Sequence, residues 1–145
     1  MAQLKYYKYQ NKNAKNVKAF GKWYGRAFID ESVDIEKLAV KMQDNCTVKR
    51  ADILAVLSEL GPTMRDLLQD SKRVVIPYLG AFKLGIVTTG ADTEGEFSSK
   101  NVKGIRVNFQ PTVKVEPDGR RVKEMTAGCR VVEHKNITPE EEQGN

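Results

Sequence analysis

Residues 73–87, which read RVVIPYLGAFKLGIV, decide the fold of this chain. They are rich in β-branched and aromatic residues, which predicts strands, and the segment from Tyr78 to Gly80 predicts a turn between them. A stretch containing glycine and acidic residues, Gly90 to Glu96, leads towards a returning strand, Gly104 to Phe109, that ends at Pro111. The pattern predicts a long β-hairpin.

Two helices are predicted before this hairpin. Asp34 is a good N-cap, because its carboxylate can accept from free N–H groups of the first turn. Apolar residues then recur at helical spacing at Ile35, Leu38, Ala39, Met42 and Cys46. Thr47 is predicted to cap a second, more hydrophobic helix, whose apolar residues are Ala51, Ile53, Leu54, Val56, Leu57, Leu60, Met64, Leu67 and Leu68.

The second helix has two further properties. Gly61-Pro62 lies inside it, and because proline cannot donate to Ser58 we expect a kink or short break there. The helix is apolar around most of its circumference, which is typical of a helix buried on all sides. In a chain of 145 residues this indicates a partner subunit.

The N-terminal segment contains two aromatic-rich stretches, Leu4 to Tyr9 and Phe20 to Ile29, joined by a link rich in Asn and Lys. Alternation of lysine with Tyr or Leu predicts two strands that form a hairpin or extend a sheet. The aromatic residues fit half-buried strands, and they also fit a surface on which nucleic-acid bases stack. Near the other end, Pro117 to Ala127 could form a short helix and Cys129 to Glu133 a final strand.

Charge is unevenly distributed along the chain. The 24 Lys and Arg against 19 Asp and Glu give a formal net charge of +5, which permits a polyanionic partner without requiring one. Seven cations precede the first acidic residue, Asp30; they are Lys5, Lys8, Lys12, Lys15, Lys18, Lys22 and Arg26. A second basic cluster surrounds Arg120 and Arg121, and the tail carries Glu140, Glu141 and Glu142.

Several classes of protein are disfavoured by the sequence. One histidine, no phosphate-binding glycine loop and no nucleophile beside a plausible base argue against an enzyme, and no cofactor or small-molecule substrate is expected. Cys46 and Cys129 match no metal spacing, so we expect reduced thiols and no metal. Without an apolar run of about 18 residues or a signal peptide, we expect a cytoplasmic protein with no membrane partner.

The order of these features resembles the HU/IHF family of bacterial histone-like proteins. Members carry a G-F-G-T-F-K motif before the arm, and Leu79 to Lys83 occupy its last five positions. The return strand Val107-Asn108-Phe109-Gln110-Pro111 also follows the family order. The resemblance covers Asp34 to Gln110, and the extensions at both ends look like a Bacteroidetes-type variant that carries an added N-terminal sheet.

The resemblance implies an α+β fold and an intertwined homodimer whose β-arms reach around double-stranded DNA. We expect a basic β extension in residues 1–33, an HU-like core in 34–116, and a C-terminal extension with an acidic tail in 117–145. The implied function is nonspecific, nucleoid-associated DNA binding. The alternative is a structural or protein-interaction module that has lost arm-mediated DNA binding.

The residues expected to meet phosphate are cations of the core and of the basic cluster that follows it: Lys72, Arg73, Lys83, Lys100, Lys103, Arg106, Lys114, Arg120 and Arg121. Strand alternation predicts that Lys103 and Arg106 point to opposite faces. The family inserts a proline at each arm tip, but Thr88 to Lys100 has no proline or arginine and carries three acids. Phe97 fits either an apolar wedge or a core position.

Overall fold

The computed structural model describes residues 3–135, so the predicted acidic tail lies outside the described residues. The fold is α+β. Its elements are β1 (Gln3–Gln10), β2 (Trp23–Ala27), α1 (Ile35–Gln43), α2 (Arg50–Gln69), β3 (Val74–Ile76), β4 (Gly80–Thr88), β5 (Val102–Pro111), β6 (Val113–Val115), β7 (Arg121–Lys123) and β8 (Arg130–Glu133). They fall into two compact units, Val33–Ala127 and the combination of Met1–Ser32 with Gly128–Asn145.

The unit formed by the two ends of the chain contains a three-stranded sheet in the order β2-β1-β8. β1 pairs with β2 antiparallel and with β8 parallel, so the predicted N-terminal hairpin and final strand are confirmed. The aromatic residues of this sheet differ in burial. Tyr7 is buried, whereas Trp23 and Tyr24 on the edge strand are exposed.

The helical hairpin of the central unit begins as predicted at Asp34, whose Oδ1 accepts from the backbone N of Lys37 at 2.8 Å. The prediction that Thr47 caps α2 is wrong. Lys49 occupies the N-cap position without a side-chain bond, and the side chain of Gln43 instead accepts from the backbone N of Arg50 at 2.8 Å. A residue from the preceding helix therefore satisfies the first turn of α2.

The second helix continues through Gly61-Pro62, so the short break is wrong, and the kink, the other form of this expectation, stays a prediction. The helix is also less covered within one chain than its composition predicts. Val56 is 68% exposed, and Leu60 and Leu67 are exposed as well. The buried apolar residues of this unit are few; they are Ala39, Ile53, Leu68 and Ala81.

The main sheet of the central unit has the order β3-β4-β5, with antiparallel pairing throughout, as predicted. The turn before β4 places Tyr78 in the left-handed region at φ 66°. Gly80 follows at φ 151°, and a Cβ added there would lie 2.7 Å from the ring of Phe109 and would also meet the carbonyl of Gln110. Glycine is therefore required where β4 approaches β5.

The predicted β-arm joins β4 to β5. The backbone N of Thr89 donates to the carbonyl of Asn101 at 2.8 Å, and beyond this pair the segment forms single 3-10 turns at Glu94–Glu96 and Ser99–Asn101. Phe97 is 44% exposed, which excludes a core position within one chain.

The segment after β5 differs from the prediction of a helix. β6 and β7 pair antiparallel around a turn at Asp118-Gly119, and only a single 3-10 turn follows at Glu124–Thr126. The backbone N of Arg120 donates to Oδ1 of Asp118, which favours the turn over a helix start. In the part of the chain that the structure describes, no helix is long and apolar enough to cross a membrane.

Candidate nucleic-acid interface

The two faces of the β4–β5 ladder differ in chemistry. Partners in the ladder share a face, and alternate residues along a strand share it too. One face carries the pairs Phe82 with Phe109, Leu84 with Val107, and Ile86 with Ile105. The other carries Lys83 with Asn108 and Gly85 with Arg106. The ladder thus has an apolar face and a polar, cationic face.

Helix α2 lies on the apolar face. A groove of about 330 Å³ is lined by Met64 and Leu68 of the helix and by Phe82, Leu84 and Val107 of the sheet. The rings of Phe82 and Phe109 lie 4.8 Å apart on the same face. Packing against the helix therefore fixes which way the cationic face points, which is away from α2.

The cationic face is held open by Gly85. A Cβ at this position would lie 2.5 Å from Nδ2 of Asn108 and 3.4 Å from Nε of Arg106, so both side chains extend across the glycine. Lys83 is the ladder partner of Asn108. Gly85, two residues further along β4, is the ladder partner of Arg106 and has no side chain to lie between Lys83 and Arg106. The arrangement groups two cations and an amide on one strip of sheet.

Arg73 and Gln110 extend this strip towards the start of β3. Nη2 of Arg73 donates to Oε1 of Gln110 at 3.4 Å. Gln110 is the ladder partner of Ala81, so it shares the face of Lys83 and Arg106. We call Arg73, Lys83, Arg106, Asn108 and Gln110 the cationic sheet face. All five contribute hydrogen-bonding groups that suit phosphate oxygens.

Lys72 lies next to this face. A groove of about 520 Å³ lies between the end of α2 and the sheet, and it is lined by Lys72, Arg73 and Lys83 together with residues of the apolar face, Leu84, Ile86 and Ile105. Nζ of Lys72 is 2.5 Å from Oδ2 of Asp70, and both side chains are more than half exposed. The structure therefore brings Lys72, Arg73 and Lys83 together around one groove, with Lys72 partly neutralised by Asp70.

Lys100 and Lys103, the predicted cations at the base of the arm, lie outside the regular part of the ladder. Thr88 pairs with Val102 and Val87 with Gly104, so Lys103 is the extra residue of a β-bulge. Its Nζ donates to the carbonyl of Lys100 at 2.9 Å. The prediction that Lys103 and Arg106 point to opposite faces assumed regular alternation along the strand. The bulge interrupts this alternation at Lys103, so the prediction does not apply there.

The basic cluster after the arm does not form one surface. Lys114 pairs with Val122 and Arg121 with Val115, so Lys114 and Arg121 lie on opposite faces of the β6–β7 hairpin. Arg120 donates to Asp118 through its backbone N and through Nε at 2.7 Å. These bonds, the backbone one foremost, lower the pKa of the Asp118 carboxyl. Its carboxylate locally offsets the charge of Arg120.

Two polar residues of the cationic sheet face, Asn108 and Gln110, were not predicted as site residues. They lie two and four positions after Arg106, and strand periodicity alone would have placed them on its face. The prediction considered only cations and so missed them. Both cysteines are free and exposed, and no group of residues suited to hold a metal occurs in positions 3–135.

Comparison with known proteins adds two findings. Residues 1–126 match the model of HU-HIG, a family described as an HU domain fused to a wHTH, Ig or glycine-rich motif. The structure is similar to a crystal structure from Bacteroides vulgatus described as a "putative bacterial DNA binding protein", with a TM-score of 0.57, 12% identity and 94% of this chain covered.

That similarity, at 12% identity, concerns the fold alone. The chain covers 51% of the Bacteroides vulgatus protein, so it spans about half its length. A comparison with curated proteins gives no match.

Proposed function

This chain belongs to the HU-HIG family of HU domains fused to a wHTH, Ig or glycine-rich motif, and from this premise we propose that it is a non-enzymatic protein that binds double-stranded DNA. It acts as a histone-like homodimer on the bacterial nucleoid. Residues 34–116 form the DNA-binding core, flanked by the extensions 1–33 and 117–145. The name of the structurally similar protein supports the same class of ligand.

The observation that carries the proposal is the difference between the two faces of the main sheet. Packing of α2 against the Phe82 and Phe109 face leaves Lys83 and Arg106 together on the opposite face. Cations fixed on a rigid sheet can neutralise phosphates and release their counterions, which is the main source of affinity for duplex DNA. Arg73 adds a guanidinium at the start of the same face.

The predicted lack of sequence specificity follows from the chemistry of this face. Cations and amides reach phosphate oxygens on any sequence, and such contacts position a protein without identifying bases. Any preference then arises from how easily the DNA deforms. Lys100, Lys103, Lys114, Arg120 and Arg121 complete the proposed phosphate contacts, in more peripheral positions.

A homodimer is proposed because one chain leaves much apolar surface uncovered. On α2, Val56 is 68% exposed, and on the apolar sheet face Ile105 is 70% and Val107 64% exposed. Apolar surfaces of this kind mark association sites. A second copy that supplies its own helices would cover them and would place two cationic sheet faces in one particle.

The alternative function is an HU-like interaction module without arm-mediated DNA binding. The specific observation in its favour is the acidic arm, where Glu94 and Glu96 form a 3-10 turn and Asp92 lies beside it. Carboxylates at this position would repel phosphate. The sheet face and the arm therefore favour different modes of action, and affinity for duplex DNA separates them.

The test is a titration of a fluorescent random-sequence duplex with the full chain over a series of salt concentrations. We expect the logarithm of the association constant to fall linearly with the logarithm of the salt concentration, because each neutralised phosphate contributes about −0.9 to the slope. The absence of binding at low salt would contradict the proposal and favour the interaction module.

A further inference from the structure

A second cationic surface lies in the N-terminal unit, on the loop that joins β1 to β2. This loop, residues 11–22, contains four cations and no acid; they are Lys12, Lys15, Lys18 and Lys22. Within the described part of the chain, none of the four lies in an ion pair. Their charge is therefore available to a polyanion, in contrast to Lys5 and Lys8, which pair with Asp30 and Glu133.

The loop has a defined conformation. Oδ1 of Asn11 accepts from the backbone N of Asn13 at 2.8 Å, and Oδ1 of Asn13 accepts from that of Lys15 at 3.1 Å. The carbonyl of Asn16 accepts from the backbone N of Phe20 at 2.9 Å. The lysines are thus displayed on a turn-rich scaffold, which lowers the entropy lost when they are ordered on a ligand.

Exposed planar side chains lie at the end of the loop and directly after it. Phe20 is 55% exposed, Trp23 66% and Tyr24 39%, although aromatic residues in a sheet usually pack against neighbours. All five residues of β2, an edge strand of its sheet, are exposed. Large planar groups are therefore presented to solvent next to four lysines.

Arg26 adds a further planar group on the face that Tyr24 occupies, which is opposite to the face of Trp23, so both faces of β2 present planar groups. Its guanidinium lies 4.6 Å from the centre of the Tyr9 ring, and the rings of Tyr9 and Tyr24 are 6.0 Å apart. A hydrogen bond with Tyr7 raises the pKa of Arg26 above its ordinary value, with a smaller contribution from Tyr9. Stacked guanidinium and aromatic planes are the groups on which unpaired bases stack.

We propose that the loop of residues 11–22 and the edge strand β2 bind single-stranded DNA, with lysines on the phosphates and Trp23 stacked on a base. Duplex DNA offers no free base faces within its stack, so exposed aromatic residues would gain little from it. This surface is separate from the cationic sheet face of the central unit, and the proposal stands independently of duplex binding.

Charge and shape favour this ligand over a protein or a lipid surface. Residues 11–22 carry only positive charge, which suits a polyanion. The exposed groups of β2 and its neighbours are mostly flat rings and a guanidinium, whereas insertion among lipid tails is typical of an amphipathic helix. No such helix occurs in the described residues of this unit, which contain strands and turns.

The test uses Trp23 as its own probe, because it is the single tryptophan of the chain. We expect oligo(dT) to quench its fluorescence saturably, with an affinity that falls as salt rises. Reversal of Lys12, Lys15 and Lys18 to Glu should weaken oligo(dT) binding at least about tenfold. The matched control reverses Lys37, Lys41 and Lys49, which belong to the central unit, and should weaken it much less.

Two further variants separate stacking from charge. Trp23→Ala should weaken the binding of labelled oligo(dT), measured by anisotropy, about 5- to 150-fold. Trp23→Phe should keep most of the affinity. Circular dichroism checks that both variants fold. An equal loss in the two variants would contradict stacking.

Other outcomes would overturn the proposal. They are absence of quenching at low salt, equal weakening by the control reversals, tighter binding of oligo(rU) of the same length, and a fluorescence shift with anionic vesicles but not with oligo(dT).

Duplex affinity measured on the same samples distinguishes this proposal from the proposed duplex binding. The loop reversals should leave most of it intact, and a loss of duplex affinity as large as the loss for oligo(dT) would also contradict a separate single-strand site.

Discussion

Arg106 of β5 lies directly opposite Gly85 of β4, and its Nε would be 3.4 Å from a Cβ built at position 85. The missing side chain lets Arg106 and Asn108 extend over the sheet on the side away from α2. Lys83, two residues before Gly85, shares this face. The pairing of a glycine with an arginine thus assembles the strip of charge to which we assign duplex binding.

The free energy of unfolding tests whether Asp34 and Thr47, the two predicted helix caps, stabilise their helices. Asp34→Ala should lower the free energy of unfolding by about 1 kcal/mol, because the backbone N of Lys37 loses its acceptor. Thr47→Ala should have little effect, since Gln43 serves α2 instead. Urea unfolding of both variants measures the difference, and equal destabilisation would contradict the assigned caps.

The close approach at Gly80 gives a second stability prediction. Gly80→Ala should cost about 1–3 kcal/mol, because its Cβ would meet Phe109 and the Gln110 backbone at a positive φ. Gly90→Ala is the matched control, since nothing lies within 4 Å of a Cβ at that position. A Gly80→Ala protein as stable as the Gly90→Ala protein would show that the β4–β5 pairing differs from the one described.

The acidic arm gives a prediction about DNA. Asp92→Asn with Glu94→Gln and Glu96→Gln should raise duplex affinity, because three charges that repel phosphate are removed from the arm that also carries Lys100, a proposed phosphate contact. The control is a triple variant on α2 with the same change in net charge, Asp52→Asn with Glu59→Gln and Asp66→Asn. If both sets raise affinity to the same extent, only net charge matters and the arm lies away from the DNA.

The homodimer predicts a mass in solution of twice that of one chain. Val56→Glu places a charge on an apolar surface of α2 that is 68% exposed in one chain, and it should shift the particle towards the monomer. Val17→Glu, at a position 85% exposed in the N-terminal unit, is the control. Light scattering after gel filtration measures the mass, and a wild-type monomer at high concentration would contradict the proposal.

Local sequence signals predicted much of the central unit. Asp34, the turn at Tyr78 to Gly80 and the period-two pattern of β4 and β5 each act over a few residues, and each is realised. Asp118-Gly119 is a comparable local signal for the β6–β7 turn, although the helix predicted for Pro117 to Ala127 includes it. Aspartate followed by glycine is a turn signal, and it would have identified this hairpin.

The other differences depend on contacts that no local pattern encodes. β8 pairs with β1 although most of the chain separates them. Gln43 replaces Thr47 at the start of α2 because the two helices meet in space. The bulge at Lys103 changes alternation within β5, and only the register shows that Lys83 of β4 shares the face of Arg106 and Asn108. The candidate cations were identifiable by type, and their grouping required the fold.

The most direct measurement of the central claim is duplex affinity for Lys83→Glu with Arg106→Glu, compared with Lys37→Glu with Lys41→Glu on α1. We predict that the first pair lowers affinity at least about tenfold and reduces the salt slope by about 2 per subunit, while the dimer persists. The second pair has the same change in net charge and should have a much smaller effect. Equal affinities for the two double variants would contradict DNA binding by the cationic sheet face.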